Sequence, residues 1–212
     1  KNGKIVSRLH KKAAMAHSSI LVPSIDRVLK KAKLKIKDVD VFAISVGPGS
    51  FTGLRIGVTT VKGLAYSLKK KIVAVPTLDV IANNVKDLRG IICPILDARK
   101  NKVYSCIYRS DGKFIKRISP HLLLPLEELK KKLAAYDKIH FLGDVIGDAI
   151  FKPGLKSKLQ SRLVSKTDKS WYPRAEIVAE LALEEIGNKR FLSPEDLEPL
   201  YIYSKECDIT GK

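Results

Sequence analysis

The sequence predicts an alternating α/β fold that opens on a parallel sheet and continues into an antiparallel meander, and three observations carry that prediction. A nearly unbroken apolar run, Val41-Phe42-Ala43-Ile44-Ser45-Val46, leads straight into a Gly-Pro-Gly-Ser turn and then a helical pattern. Short apolar runs and helical stripes go on alternating to Asn83, as parallel sheets require. Beyond residue 90 the runs are separated by tight-turn signals such as Asp111-Gly112.

Taken in order, Asn2-Gly3 is a hairpin-turn pair, and Lys4 to Leu9 alternates weakly like the strand leaving it. A helix is expected from Ser18 to Lys33, with Ile20, Leu21, Ile25, Val28, Leu29 and Ala32 on one broad face. Pro23 falls near its first turn, where a missing N–H costs least. The Val41 run reads as a strand covered on both faces. Leu54, Val58, Val61, Ala65 and Leu68 recur at helical spacing and predict a helix from Thr52, capped by Ser50 or Thr52. A strand at Ile72 to Val75 and a short helix at Leu78 to Asn83 follow, and the polar stretch Asn84 to Gly90 is the expected boundary between domains 1–90 and 91–212.

The second half opens with Ile91 to Leu96, a buried strand despite Pro94. Asp97 to Lys102 turns, Val103 to Arg109 returns, and Lys113 to Ser119 continues the meander. A helix over Pro125 to Ala135, a strand over Lys138 to Leu142 and a helix over Arg174 to Ile186 complete the pattern.

Composition narrows the function classes. With 212 residues and 45% apolar content the chain can build one large or two small cores. No apolar run approaches the roughly 20 residues of a membrane span, and lysines and a histidine interrupt the start before a signal-peptide core forms. The expected location is the cytoplasm. Cys93, Cys106 and Cys207 form no C-x-x-C pair and read as thiols in a reducing compartment. His10, His17, His121 and His140 include no helical i, i+4 pair, so no metal site is expected. The net charge of +18 attracts nucleic acid or an acidic surface. Its lysines are scattered, with clusters at Lys30-Lys31, Lys69-Lys70-Lys71 and Lys130-Lys131-Lys132, few aromatics lie among them and lysine far outnumbers arginine, so the first reading is a general lysine enrichment and the second a direct nucleic-acid contact.

Gly47, Gly49 and Gly53 are spaced G-x-G-x-x-x-G, which is neither the dinucleotide fingerprint nor a P-loop. Two readings stay open: a loop that holds a small anionic ligand at a helix start, or a tight strand-to-helix turn made by Gly47, Pro48 and Gly49. Ser50 lacks the G-x-S-x-G setting of a nucleophile elbow.

The stretch Gly47-Pro48-Gly49-Ser50-Phe51-Thr52-Gly53-Leu54-Arg55-Ile56-Gly57 resembles the TsaB (YeaZ) family over the full length of that family's motif. The similarity extends to His17-Ser18-Ser19-Ile20-Leu21-Val22-Pro23, Lys62-Gly63-Leu64-Ala65, Pro76-Thr77-Leu78, Asp97-Ala98-Arg99 with Val103-Tyr104, and Pro199-Leu200-Tyr201. It implies two RNase H-like lobes of the actin, sugar kinase and Hsp70 type, the first lacking its initial strands here, about 15–20 residues by typical strand lengths. Val61 and Tyr203 depart from the residues common at those places, alanine and arginine.

The resemblance further implies a non-catalytic assembly subunit of the complex that installs threonylcarbamoyl on the adenosine next to the anticodon of tRNA. The implied partners are a TsaD-like catalytic subunit and a TsaE-like ATPase, with tRNA touched indirectly or weakly, a homodimer when isolated, and no membrane. No cofactor is expected on the chain by itself, and ATP or ADP enters only at the level of the complex. No catalytic residue is assigned. The other function class is an actin-like nucleotide hydrolase or a glycoprotease-like peptidase.

For the partner interface, the expected residues are Ser19, Gly53, Arg55, Gly57 and Thr60. Gly53, Gly57 and Thr60 form a line of small residues beside a polar face of Arg55, Thr59, Lys62 and Tyr66. The alternative is that this line packs on the Ser18 to Lys33 helix of the same chain. Asp97 and Arg99 are candidate nucleotide contacts, although related nucleotide-binding strands continue into glycines where Ala98 and Arg99 stand; the alternative is a structural turn.

Overall fold

The structure, a computed structural model, describes residues 3–10, 17–143 and 170–202. The readings made for Asn2, Tyr203 and Cys207 lie outside the described residues. The fold is mixed α/β, and the chain divides into two compact units, residues 1–76 with 174–200, and 77–173 with 201–212.

In the first unit, α1 (His17–Lys31) is followed by a 3-10 turn (Ile36–Asp38), β1 (Val41–Ser45), α2 (Phe51–Leu68) and β2 (Lys71–Val75). β1 and β2 pair in parallel from Val41↔Lys71 to Ser45↔Val75, with α2 as the crossover between them. The helical stripe read from sequence is the buried one: Val58 and Ala65 join Val46, Ile72 and Leu197 in one core, with Val61, Phe42 and Ile44 packed against it. Ile72 and Ala74 of β2 face this core; Val73 and Val75 alternate to the other face and are buried too.

Three expectations in this unit are corrected. β1 is not covered on both faces, since Ala43 is exposed and its neighbours are half-buried. Phe42 and Ile44 alone face the core, and among the described residues β2 is the only strand beside β1. Residues 4–10 form no strand: with no described neighbour to complete a ladder, Ile5 and Val6 stay exposed. Pro23 falls in the second turn of α1 rather than the first.

The second unit is built on β3 (Arg89–Asp97), preceded by α3 (Thr77–Asn83). β4 (Lys102–Ser105) and β5 (Tyr108–Asp111) return antiparallel to β3 in one continuous register, from Asp97↔Val103 near the turn to Arg89↔Asp111 at the far end. They are the single strand expected from sequence, opened where the chain passes Pro94. Proline gives no N–H to a ladder. The Ile107 N–H instead donates to the Ser119 hydroxyl at 2.8 Å, and the Ser105 hydroxyl donates to the Pro94 carbonyl at 2.9 Å.

The next arm consists of β6 (Ile115–Arg117), paired with β5, and β7 (Leu122–Pro125), paired with β4. Between Tyr108↔Arg117 and Ser105↔Leu122, three steps on one arm face five on the other, and the excess is taken up around Pro120. After α4 (Leu126–Leu133), β8 (Ile139–Leu142) pairs in parallel with β3.

Alternation along β3 explains its unbroken apolar run. Ile91, Cys93 and Ile95 share a core with Leu129 and Leu133 of α4, whereas Ile92 packs with Leu78, Ile81 and Ala82 of α3. A strand sandwiched by helices on both faces is apolar at every position. The domain boundary therefore falls at Pro76, not in residues 84–90, because α3 and the buried Val85 belong to this core. Nor does the remainder of the chain stay in the second unit. α5 (Ala175–Gly187) packs against β1 and β2, and Leu192 forms an antiparallel bridge with Ile72.

Candidate functional site

The junction between β1 and α2 is built by a backbone that only glycine fits. The Val46 N–H donates to the Val75 carbonyl at 3.0 Å, continuing the sheet by one residue. Gly47 then takes φ +122°, and a Cβ there would lie 2.9 Å from the Leu200 carbonyl oxygen and 3.1 Å from Leu54 Cδ1. Its close neighbour is fixed in turn, since the Leu200 N–H donates to the Val46 carbonyl at 2.8 Å. Pro48, joined to Gly47 by a cis peptide bond, is buried; Gly49 faces open space. Ser50 is the N-cap of α2, its hydroxyl accepting the Gly53 N–H at 3.3 Å. Two motifs far apart in sequence, Gly-Pro-Gly-Ser and Pro-Leu-Tyr, thus meet through Gly47 and Leu200.

Of the expected line of small residues along α2, one member is turned toward the sheet of its own unit. Gly53 sits over Ser50, and a Cβ on Gly57 would come 3.4 Å from Ile44 Cδ1 of β1, so position 57 is turned toward its own sheet. Thr60 is half-buried. The outward face presents larger groups instead. Phe51 is 55% exposed, with the Arg55 guanidinium 3.8 Å from its ring centre, and Tyr66 is 71% exposed. Lys62 from the same side reaches the Glu195 carbonyl at 3.1 Å. On α1, Ser19 and Val22 are exposed. The sequence reading missed Phe51 because an aromatic at a helix start resembles a core residue; no local signal separates the two.

Asp97 and Arg99 do come together, in the β3–β4 turn of the second unit. The Asp97 carboxylate accepts the Arg99 N–H at 2.8 Å and lies 3.2 Å from the Arg99 guanidinium. Arg99, Lys100 and Asn101 all have positive φ, and the turn closes with Ala98 N–H to the Lys102 carbonyl. The carboxylate thereby organises its own turn.

Neither buried thiol is set up as a nucleophile. Burial pushes the Cys93 thiol up to about 12, and burial also raises that of Cys106. Among the described residues no group of three or more His, Cys, Asp and Glu side chains is arranged to hold a metal ion. No described helix is long and apolar enough to cross a membrane.

The family model described as TsaD: tRNA N6-adenosine threonylcarbamoyltransferase matches residues 9–182. The chain belongs to this family, and within it to the TsaB (YeaZ) proteins. The tRNA threonylcarbamoyladenosine biosynthesis protein TsaB of Bacillus subtilis is 34% identical over 128 residues, which are 60% of this chain and 56% of that protein. This match therefore spans just over half the length of the relative. The protein of the same name from Buchnera aphidicola subsp. Schizaphis graminum is 28% identical over 193 residues, 90% of this chain and 89% of that one. Among solved structures, YeaZ from Pseudomonas aeruginosa aligns with a TM-score of 0.74 at 26% identity, covering 88% of this chain and 84% of the other. The family match includes the β1–α2 junction, α2 and the Asp97 turn.

Proposed function

We propose that this chain is a non-catalytic dimerisation and assembly subunit in the formation of threonylcarbamoyladenosine beside the tRNA anticodon. It pairs with a TsaD-like catalytic subunit, which a TsaE-like ATPase joins, and the setting is the cytoplasm. Its two compact units are read as RNase H-like lobes, a reading supported by the fold likeness to YeaZ over most of both chains. ATP or ADP belongs to the assembled complex, with Asp97 and Arg99 the residues of this chain nearest in kind to a nucleotide contact.

The observation that carries the assembly role is the outward face of α2. An exposed Phe51 ring with Arg55 stacked on it is an anchor of the type that dominates interfaces, and an exposed Val22 lies on α1, which packs beside α2. An interface on this face uses Phe51 and Arg55 as its centre, with Ser19 on α1 and Gly53 and Thr60 behind them, while Gly57 is turned toward β1. Against a hydrolase, the Ser50 hydroxyl is spent on the α2 cap, and both buried thiols are raised away from the thiolate.

Size-exclusion chromatography of the purified chain with its TsaD homologue tests the assembly role. Phe51→Glu with Arg55→Glu is expected to abolish co-elution while leaving circular dichroism unchanged. Undiminished co-elution of the folded double variant would move the interface elsewhere. A transfer assay on the chain alone is expected to stay at the no-protein level, and modification above that level would make it an enzyme.

A further inference from the structure

We infer that the first unit carries an RNA-strand binding groove where the C-terminal end of α2 meets residues 189–195. The groove has a volume of about 840 Å³ and is lined by Lys69, Lys70, Lys71 and Lys189, together with the rings of Tyr66 and Phe191. Chain topology gathers these residues from two distant stretches. α2 ends at the Lys69 cap and β2 begins at Lys71, while Leu192, held to Ile72 by hydrogen bonds of 2.8 and 3.1 Å, brings the second stretch alongside.

A bland account assigns the lysines to the helix end, whose free carbonyls carry about half a negative charge. Magnitudes decide against it. Counting about half a charge for each of α2 and α5, and a full one for Glu195, the four lysines still leave a surplus of about two positive charges. Arg190, next in the chain, is already paired with Glu185 at 3.4 Å.

The aromatic groups select among polyanions. Lys71 rests its ammonium 4.6 Å from the centre of the Phe191 ring, which fixes one cation at the wall. Tyr66, which lines the groove, is 71% exposed. Point charges that follow a phosphate backbone, with an open ring for a base to stack on, are the elements by which single-stranded RNA is held without sequence preference. An acidic protein segment would use the lysines and leave Tyr66 idle. This inference extends the proposed role in tRNA modification without depending on partner assembly.

Fluorescence anisotropy of the full chain with a labelled mixed-sequence oligoribonucleotide of about 15 nucleotides, titrated across a salt series, tests the groove. Lys69→Glu, Lys70→Glu and Lys189→Glu combined are expected to weaken binding at least about tenfold and to flatten the salt slope by about two, at roughly 0.7 per lost phosphate contact. Tyr66→Ala, which leaves the charge intact, is expected to weaken it about tenfold. Lys100→Glu, Lys113→Glu and Lys116→Glu form a control of equal net charge on the second unit, expected to have a clearly smaller effect. Equal losses in the two triple variants, no binding by the unaltered chain at low salt, or an unchanged affinity of Tyr66→Ala would overturn the inference. So would displacement of the RNA by polyglutamate at a lower charge concentration than by unlabelled RNA, which would point to an acidic protein.

Discussion

The Tyr108 hydroxyl donates a hydrogen bond to the Asp79 carboxylate, fastening β5 to α3 within the second unit. The same carboxylate lies 3.2 Å from His121 Nε2 and 3.7 Å from the Arg117 guanidinium. Burial alone would push the Asp79 carboxyl up, but the hydrogen bonds from His121 and Tyr108 and the charges of His121 and Arg117 outweigh it and hold it below its ordinary value. Burial raises the Tyr108 hydroxyl, so the proton stays on tyrosine.

Replacing Asp79 should therefore cost more than one hydrogen bond. Asp79→Ala strands a buried phenol and is expected to destabilise the chain by about 2–3 kcal/mol, Asp79→Asn by less. Because the folded-state value lies below the unfolded one near 3.9, the stabilisation is complete well above that pH and is lost as pH falls from there through the lower folded-state value. Urea denaturation from neutral pH to below the carboxylate range should show a steeper decline in the parent chain than in Asp79→Asn, which keeps the contributions of Asp111 and Glu176. An identical decline in both would remove Asp79 from the account.

Gly47 and Gly49 should respond very unequally to alanine. At Gly47 the new Cβ meets the Leu200 carbonyl and the backbone sits at φ +122°, so a loss of about 2–3 kcal/mol is expected. At Gly49 nothing lies within 4 Å, and the change should stay within about 0.5 kcal/mol. Equilibrium unfolding of the two single variants compares them directly, and equal effects would refute the docking of Leu200.

For Gly57 the size of the substituent decides the sign. A methyl group at ordinary contact with Ile44 adds helix propensity, so Gly57→Ala should stabilise by up to about 1 kcal/mol. Gly57→Leu drives a branched side chain into β1 and should cost about 1–3 kcal/mol. A stable Gly57→Leu variant that fails to bind a partner would return this residue to the interface.

Alkylation reports on the buried thiols. With its thiol pushed up to about 12, Cys93 should react at pH 8 about a thousandfold more slowly in the folded chain than in urea. Peptide mapping by mass spectrometry after a timed iodoacetamide pulse reads the position, and rapid native labelling of Cys93 would contradict its burial.

Local pattern reached most elements but not their partners. The stripe from Leu54 to Leu68 and the apolar run at Ile91 were legible because burial imposes a period on side chains whatever lies opposite. β7 escaped notice because Leu122, Leu123 and Leu124 do not alternate, and half of that strand is only partly covered. The small residues of α2 were read as an outward line because spacing gives a relative angle around a helix and not which side meets the sheet; Ile44 supplied that. Gly47 could be recognised as a turn glycine, whereas its reason, the Leu200 backbone, is about 150 residues away in the chain. The Asp97 turn was legible as a turn, and its ion pair with Arg99 agrees with the simpler of the two readings.

The bond from Leu200 to Val46 and the bridge from Leu192 to Ile72 give the order of events during synthesis a particular form. The first unit is begun before the second and waits on it, because β2 and the β1–α2 turn need segments made after residue 173. The second unit draws its core helices and strands from residues 77–142, a continuous stretch that can close as soon as it emerges. At translation rates of about 5–20 residues per second, the exposed edge of β2 stays without Leu192 for several seconds. That interval is longer than the folding time of most small domains, so the second unit can close while the edge of β2 still waits for its partner.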